Sequence, residues 1–157
     1  MNKEYFLDVT IEQNINEYFD TLDKNKLLIF SPTSIKKIKI SNKKIQMENW
    51  HNITKNKQKI DKYIESINSR INEIITFGGG SVIDIGKYIA YKLNIKCTCI
   101  PSMLSTNSYA TNKVAIIENG KKITLNAKMP DKIIIDNTFL KLSEEENLYG
   151  LADVLSI

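Results

Sequence analysis

No run of about 18 apolar residues occurs in the sequence, so nothing in it reads as a membrane-spanning helix. The opening residues, MNKEYFLDVTIEQ, lack the charged-then-apolar layout of a secretory signal, and a cytoplasmic location is expected. Cysteine is scarce, with only Cys97 and Cys99 in KCTCI. As alternate residues of a strand they share a face and stand too far apart for an unstrained disulfide. No CxxC pair accompanies them, so they make no zinc site and read as small buried hydrophobes. The one histidine, His51, sits in a polar stretch and reads as a surface residue. Internal repeats and low-complexity linkers are also lacking.

What is present suits one soluble domain. The 157 residues are 42% hydrophobic and 25% charged, enough for a real core. The net charge is +4, with lysines spread along the chain. Isoleucine, lysine and asparagine are abundant, which reads as a compositional habit. The densest basic stretch, KIKISNKKI (Lys37–Ile45), reads as a lysine-blunted, solvated sheet edge. A nucleic-acid partner is therefore not expected.

Periodicity gives the order of elements. IEQNINEYFDTLD (Ile11–Asp23) has helical spacing, and LLIF (Leu27–Phe30) reads as a buried strand stopped by Ser-Pro-Thr. A short strand is expected at Lys43–Gln46. Ile60, Tyr63, Ile64, Ile67, Ile71 and Ile74 form one stripe, which predicts a helix over Ile60–Ile74. Ile75–Phe77 then reads as a strand, Ser81–Leu93 as a helix and Lys96–Ile100 as a strand closed by Pro101. Asn119-Gly120 between two alternating runs in Val114–Leu125 predicts a tight hairpin. KIIID (Lys132–Asp136) reads as a strand, and Ser143 with the glutamates behind it as a helix start. The alternation predicts an α/β fold, a mostly parallel sheet flanked by helices.

The stretch ITFGGGSVIDIGKYIAY places three glycines between a strand and a helix. Helix N-termini carry free N–H groups and partial positive charge, and so suit phosphate. Glycines at Gly78, Gly79 and Gly80 let the backbone approach a ligand closely. Ser81 can cap the helix or donate to a phosphate oxygen. The segment is neither a P-loop nor G-x-G-x-x-G. A purely structural turn is the competing reading. Val82, Ile85, Gly86, Ile89 and Leu93 form a stripe for sheet packing, with Gly86 marking close approach. Asp84, Lys87, Tyr88 and Tyr91 fall on the other side, where Asp84 and Lys87 can pair. Asp84 suits the helix dipole and equally a functional role.

Several segments together carry a resemblance. GGGSVIDIGKYIA, the proline-led IPSMLSTNSYAT, the hairpin followed by AKMPDKIIID, GLADVLS, and LLIFSPTSIKKI resemble, in order, segments of the iron-dependent alcohol dehydrogenase and dehydroquinate synthase-like superfamily. Within that superfamily the chain most resembles the glycerol-1-phosphate dehydrogenases, over about residues 25–157. The resemblance implies a Rossmann-like NAD(P)-binding domain at 1–142 and the start of a helical metal-binding domain at 143–157, whose later helices are missing. It maps the cofactor pyrophosphate onto Gly78, Gly79, Gly80 and Ser81, with Asp84 close by. Ser102, Ser105, Thr106 and Thr111 map onto the nicotinamide side. Asp153 maps onto the first ligand of a divalent metal, Zn or Fe, which polarises the substrate hydroxyl.

The sequence departs from that pattern in three places. Asn107 stands where the family has a substrate-contacting acid, and Ser102 where threonine is usual. The family's two metal-binding histidines have no counterpart here, so the metal site is complete only with histidines from further downstream. Lys113, just past the loop, suits either a substrate phosphate or plain solvation. The implied reaction is hydride transfer between a polyol or polyol phosphate and nicotinamide, by a full-length form that is a candidate homo-oligomer. These 157 residues alone are expected to be inactive. A dehydroquinate synthase-like cyclase and a non-catalytic nucleotide-binding fragment are the alternatives. NAD and NADP are not distinguished: the SPTSIKK turn offers no acid, and its lysines suit a 2′-phosphate.

Overall fold

The computed structural model describes residues 8–12 and 14–136. Its elements are β1 (Asp8–Glu12), α1 (Ile15–Thr21), β2 (Lys26–Phe30), α2 (Pro32–Ile35), β3 (Gln46–Asn49), α3 (Trp50–Ile53), α4 (Lys57–Ser66), β4 (Glu73–Gly78), α5 (Gly80–Leu93), β5 (Lys96–Pro101), β6 (Lys113–Glu118), β7 (Lys121–Asn126) and β8 (Lys132–Asp136). A 3₁₀ turn spans Ser108–Ala110 between β5 and β6. Six strands form one sheet in the order β1-β8-β5-β4-β2-β3, every pairing parallel. The expected parallel α/β layout is what the chain adopts. Strands β6 and β7 form the separate hairpin that Asn119-Gly120 predicts, with both turn residues at positive φ.

The register sets up the site. Phe30 of β2 lies opposite Phe77 of β4, and Gly78 lies opposite Pro101 of β5. Three neighbouring strands therefore end level at one edge of the sheet.

Period-two alternation divides the core between two faces. Leu27, Ile29, Ile74, Cys97 and Cys99 pack with α4 and α5. Leu28, Ile75, Phe77 and Ile100 pack with α1 and with Ile35 of α2. Cys97 and Cys99 are free thiols on one face, buried as expected. Helix α5 is buried along Val82–Ala90 on nearly every side, because sheet, α4 and hairpin all close on it. Among the described residues no helix is long and apolar enough to cross a membrane.

Four expected elements are corrected, and asparagine side chains explain three of them. Asn14 accepts from Asn16 N and starts α1 at Ile15, so Ile11 belongs to β1, a strand not anticipated. Helix α4 ends at Ser66 instead of running to Ile74: Asn68 accepts from Arg70 N in a side-chain turn, and β4 begins at Glu73. Asn42 accepts from Lys44 N, which keeps Lys43–Ile45 out of the sheet and starts β3 at Gln46. Lys37–Ile45 is accordingly a connection after α2, not a sheet edge. The fourth is Ser81. Gly79 is the N-cap of α5, and Ser81 lies inside the helix's first turn. The expected elements beyond Asp136, including the helix start at Ser143, lie outside the described residues.

Candidate functional site

The site lies where the chain reverses its direction across the sheet. From β2 the chain moves outward to β3, with α2 on one face. From β4 it moves the other way to β5 and β8, through α5 on the opposite face. Connections leaving adjacent β2 and β4 thus diverge and leave a crevice at the strands' carboxyl ends, the usual ligand position in open α/β sheets. Hydrogen bonds hold the three exits together: Ser31 N donates to Phe77 O at 3.0 Å, and Ser102 N donates to Gly78 O at 3.1 Å.

The three glycines differ in what surrounds them. A Cβ on Gly78 would come within 2.8 Å of Val82 Cγ2 and 3.0 Å of Ser31 Cβ, so this glycine is required for packing. A Cβ on Gly80 would sit 3.1 Å from Thr106 Oγ1 and 3.3 Å from Ser108 Oγ, so it lets the proline-led loop lie against α5. A Cβ on Gly79 would meet only Met103 Sδ, at 3.8 Å, so the space above this residue is open. Val82 N and Ile83 N both donate back to Gly79 O. The amides of Gly80 and Ser81 open α5 and precede any intrahelical acceptor.

Two clefts meet at this turn, and Gly80 and Ser81 line both. The first, about 210 Å³, runs toward β2 past Ser31, Thr33, Ser34, Trp50, Gly79, Ser102 and Met103. The second, about 480 Å³, runs toward the hairpin past Lys55, Asp84, Thr106, Asn107, Ser108, Thr111, Lys113, Lys122 and Thr124. Three lysines against one carboxylate give the larger cleft a positive balance, which suits an anionic ligand.

Of the residues expected at a site, Gly79, Gly80, Ser81 and Ser102 come together in the smaller cleft. Asp84, Thr106, Asn107, Thr111 and Lys113 share the larger one with Gly80 and Ser81. Gly78 and Ser105 line neither cleft. Asp84 is paired differently from expectation. Its carboxylate meets Lys55 Nζ at 3.0 Å, not Lys87. Lys87 is fully buried, not on an open helix face, and its ammonium donates to the carbonyls of Ser108, Thr111 and Lys113. Burial pushes its pKa down. The three carbonyl acceptors oppose that shift, since only the ammonium form has three N–H donors. Tyr88 is buried as well, donating to Asp61 Oδ1 at 2.9 Å.

Sequence reasoning missed Lys55, Lys87, Ser108, Lys122 and the Ser31–Thr33 hydroxyl pair, whose oxygens lie 2.8 Å apart. The strand-end position of SPTS was the signal for the last. The others come from separate parts of the chain, and no local pattern joins them.

A dinucleotide fits these residues on two counts. The open space at Gly79 is a cradle that a larger side chain would fill. Ser108 Oγ is buried beside the larger cleft with no hydrogen-bond partner. A metal does not fit them. Among the described residues no group of three or more His, Cys, Asp or Glu side chains is placed to hold one. His51 is exposed, and Asp153 lies outside the described residues.

Comparison with known proteins agrees with this architecture. The family model for iron-containing alcohol dehydrogenase matches residues 12–143. The glycerol-1-phosphate dehydrogenase [NAD(P)+] of Sulfurisphaera tokodaii is 31% identical over 143 residues, covering 85% of this chain and 40% of that protein. The enzyme of the same name from Pyrococcus horikoshii is 28% identical, covering 98% of this chain and 47% of that protein. The chain thus spans less than half the length of these curated relatives. Among solved structures, a probable glycerol dehydrogenase from Sinorhizobium meliloti superposes with a TM-score of 0.70 at 16% identity, over 87% of this chain and 40% of that one. An iron-containing alcohol dehydrogenase from Thermotoga maritima gives 0.62 at 18% identity, over 87% and 48%. At those identities the structures speak for the fold alone. The family match extends from the end of β1 through β8, across the glycine turn and both clefts, and the chain belongs to the iron-containing alcohol dehydrogenase family.

Proposed function

We propose that the chain forms the dinucleotide-binding part of an NAD(P)-dependent dehydrogenase acting on a polyol or polyol phosphate. One observation carries this: two clefts of unequal size meet at Gly80 and Ser81, whose amides open α5 and precede any acceptor within it. A dinucleotide has this shape, two nucleosides joined by a pyrophosphate. The amides of Gly80 and Ser81 and the space above Gly79 would hold the phosphates. Ser31 and Thr33 would face one ribose, and Thr106, Asn107 and Thr111 the nicotinamide half. When bound, the nicotinamide supplies the hydride acceptor or donor for the carbinol carbon.

The chain's own residues orient and exclude. Thr106, Asn107, Ser108 and Thr111 form one wall of the larger cleft, and Lys113 and Lys122 attract anionic groups to it. Asn107, exposed at the start of the 3₁₀ turn, can accept a hydrogen bond from a substrate hydroxyl but cannot take its proton. Relatives named glycerol-1-phosphate dehydrogenase support a polyol phosphate as substrate. A divalent metal at Asp153, Zn or Fe, belongs to the same proposal, with its remaining ligands outside the described residues.

The test is calorimetric titration of the chain with NADH and NADPH, beside the variant Gly79→Val. The wild type should bind weakly and turn over no substrate. Gly79→Val should lose binding with little change in melting temperature, because the added atoms enter open space. Saturable binding by neither nucleotide would overturn the reading.

A further inference from the structure

Lysine 87 lies seven residues after Gly80, two turns along α5 and on the same face. The proline-led loop crosses that face and meets α5 at both positions. At Gly80 the absence of a side chain lets Thr106 and Ser108 come close. At Lys87 the ammonium donates to two carbonyls of the same loop, Ser108 O at 2.6 Å and Thr111 O, and to Lys113 O at 2.8 Å, where β6 begins. An ammonium has three hydrogens, and each has one acceptor here. A buried cation is costly unless paired or fully hydrogen-bonded, and the nearest carboxylate on the helix, Asp84, is committed to Lys55. A leucine or methionine would fill the same volume without that cost. The lysine therefore fixes a backbone path that apolar packing would leave free.

We propose that Lys87 is a positioning residue for the nicotinamide half of the site. By drawing two loop carbonyls and the first carbonyl of β6 onto α5, it sets where Thr106, Asn107 and Thr111 stand above the helix's first turn. Lys87 touches neither ligand nor reacting atoms. The inference rests on the dinucleotide reading above, and it divides the site in two. The amides that would hold phosphate belong to α5 itself and do not depend on Lys87. The loop that would hold the nicotinamide side does.

The experiment titrates the chain with ADP and with NADPH, following backbone amide resonances, for wild type, Lys87→Met and Lys87→Gln. Lys87→Met should weaken NADPH binding on the order of tenfold or more, since small displacements of positioning groups are costly. ADP affinity should stay within about threefold, because its phosphates are held by the helix N-terminus. Lys87→Gln, which keeps two N–H donors, should fall between. Propylammonium added to a Lys87→Ala variant should restore part of the lost NADPH affinity and leave ADP unchanged. Equal loss for both ligands, or loss for neither, would overturn the positioning role. Failure of both the Met and Gln variants to fold would overturn it too, in favour of a purely structural lysine. If wild type binds neither ADP nor NADPH, the dinucleotide reading fails instead, which separates the two failures.

Discussion

Gly86 and Thr76 are in such close apposition that a methyl group on the glycine would come within 2.0 Å of Thr76 Cγ2. In an ordinary helix interior, replacing glycine with alanine stabilises by about 0.5–1 kcal/mol. Here the clash reverses the sign. Gly86→Ala should lower stability by about 1–3 kcal/mol, the usual penalty for overpacking, read as a lower urea midpoint at unchanged slope. Thr76→Ser removes the offending methyl and keeps the hydroxyl that donates to Thr98 O. The double variant should recover most of the loss. Equal loss in both backgrounds would place the cause elsewhere.

Asp84 depends on Lys55 for its charge balance. The carboxylate side chain is 7% exposed and the lysine side chain 20%. Removing one partner of a deeply buried pair costs about 3–5 kcal/mol. Solvent reaches Lys55, so Lys55→Met should cost less, about 1–3 kcal/mol. Adding Asp84→Asn should restore part of that, giving a coupling of about 0.5–3 kcal/mol in a double-mutant cycle. Additive losses would show that the two charges do not interact.

The glycine turn, α5, β2, β4, β5, the hairpin and β8 were legible because each is a continuous apolar pattern bounded by glycine, proline or an Asn-Gly pair. Three boundary errors share one cause. Asn14, Asn42 and Asn68 each accept a backbone N–H two residues on, and in a chain rich in asparagine such turns look like background. The isoleucine stripe over 60–74 is real, but two geometries share it: Ile60 packs from α4 and Ile74 from β4 into one cluster. Lys87 was illegible for a different reason. Its face looks solvated until the loop after β5 closes over it, and no window of local sequence contains that loop. Nor does the sequence tell the three glycines apart: Gly78 and Gly80 serve packing, and of the three only Gly79 stands open.

Cys97 and Cys99 should be chemically silent in the folded protein. Their sulfurs are 4.0 Å apart and fully buried on the α5 face of β5. The hydrogen bond with Cys99, together with burial, holds the Cys97 thiol well above the ordinary range, so its reactive thiolate is scarce. Burial raises the Cys99 thiol, but hydrogen bonds with Cys97 and Thr76 bring it below that range, so Cys99 is shielded by its inaccessibility alone. An aromatic disulfide reagent should release no chromophore from native protein at mildly alkaline pH. In denaturant it should report both thiols. Native reactivity, or fewer than two thiols after unfolding under non-reducing conditions, would contradict this geometry.

Alkaline pH should destabilise the fold through its tyrosines. Burial raises the pKa of Tyr63, Tyr88 and Tyr109 above the ordinary 10.0, helped at Tyr63 by Glu48 and at Tyr88 by the bond to Asp61. The folded chain thus holds these protons to higher pH than the unfolded chain does. Where the native state binds more protons, stability falls as pH rises. The contribution is complete below pH 10.0 and is lost as pH climbs through the raised values. Phenolate absorbance should therefore show fewer than the chain's seven tyrosines ionising while it stays folded, with the rest appearing in step with loss of circular dichroism. Asp61→Asn should lower the Tyr88 shift only modestly, because burial is its larger cause and the amide oxygen can still accept the hydroxyl. Seven phenols titrating together near pH 10.0 in folded protein would mean that the faces of α4 and α5 are open to water.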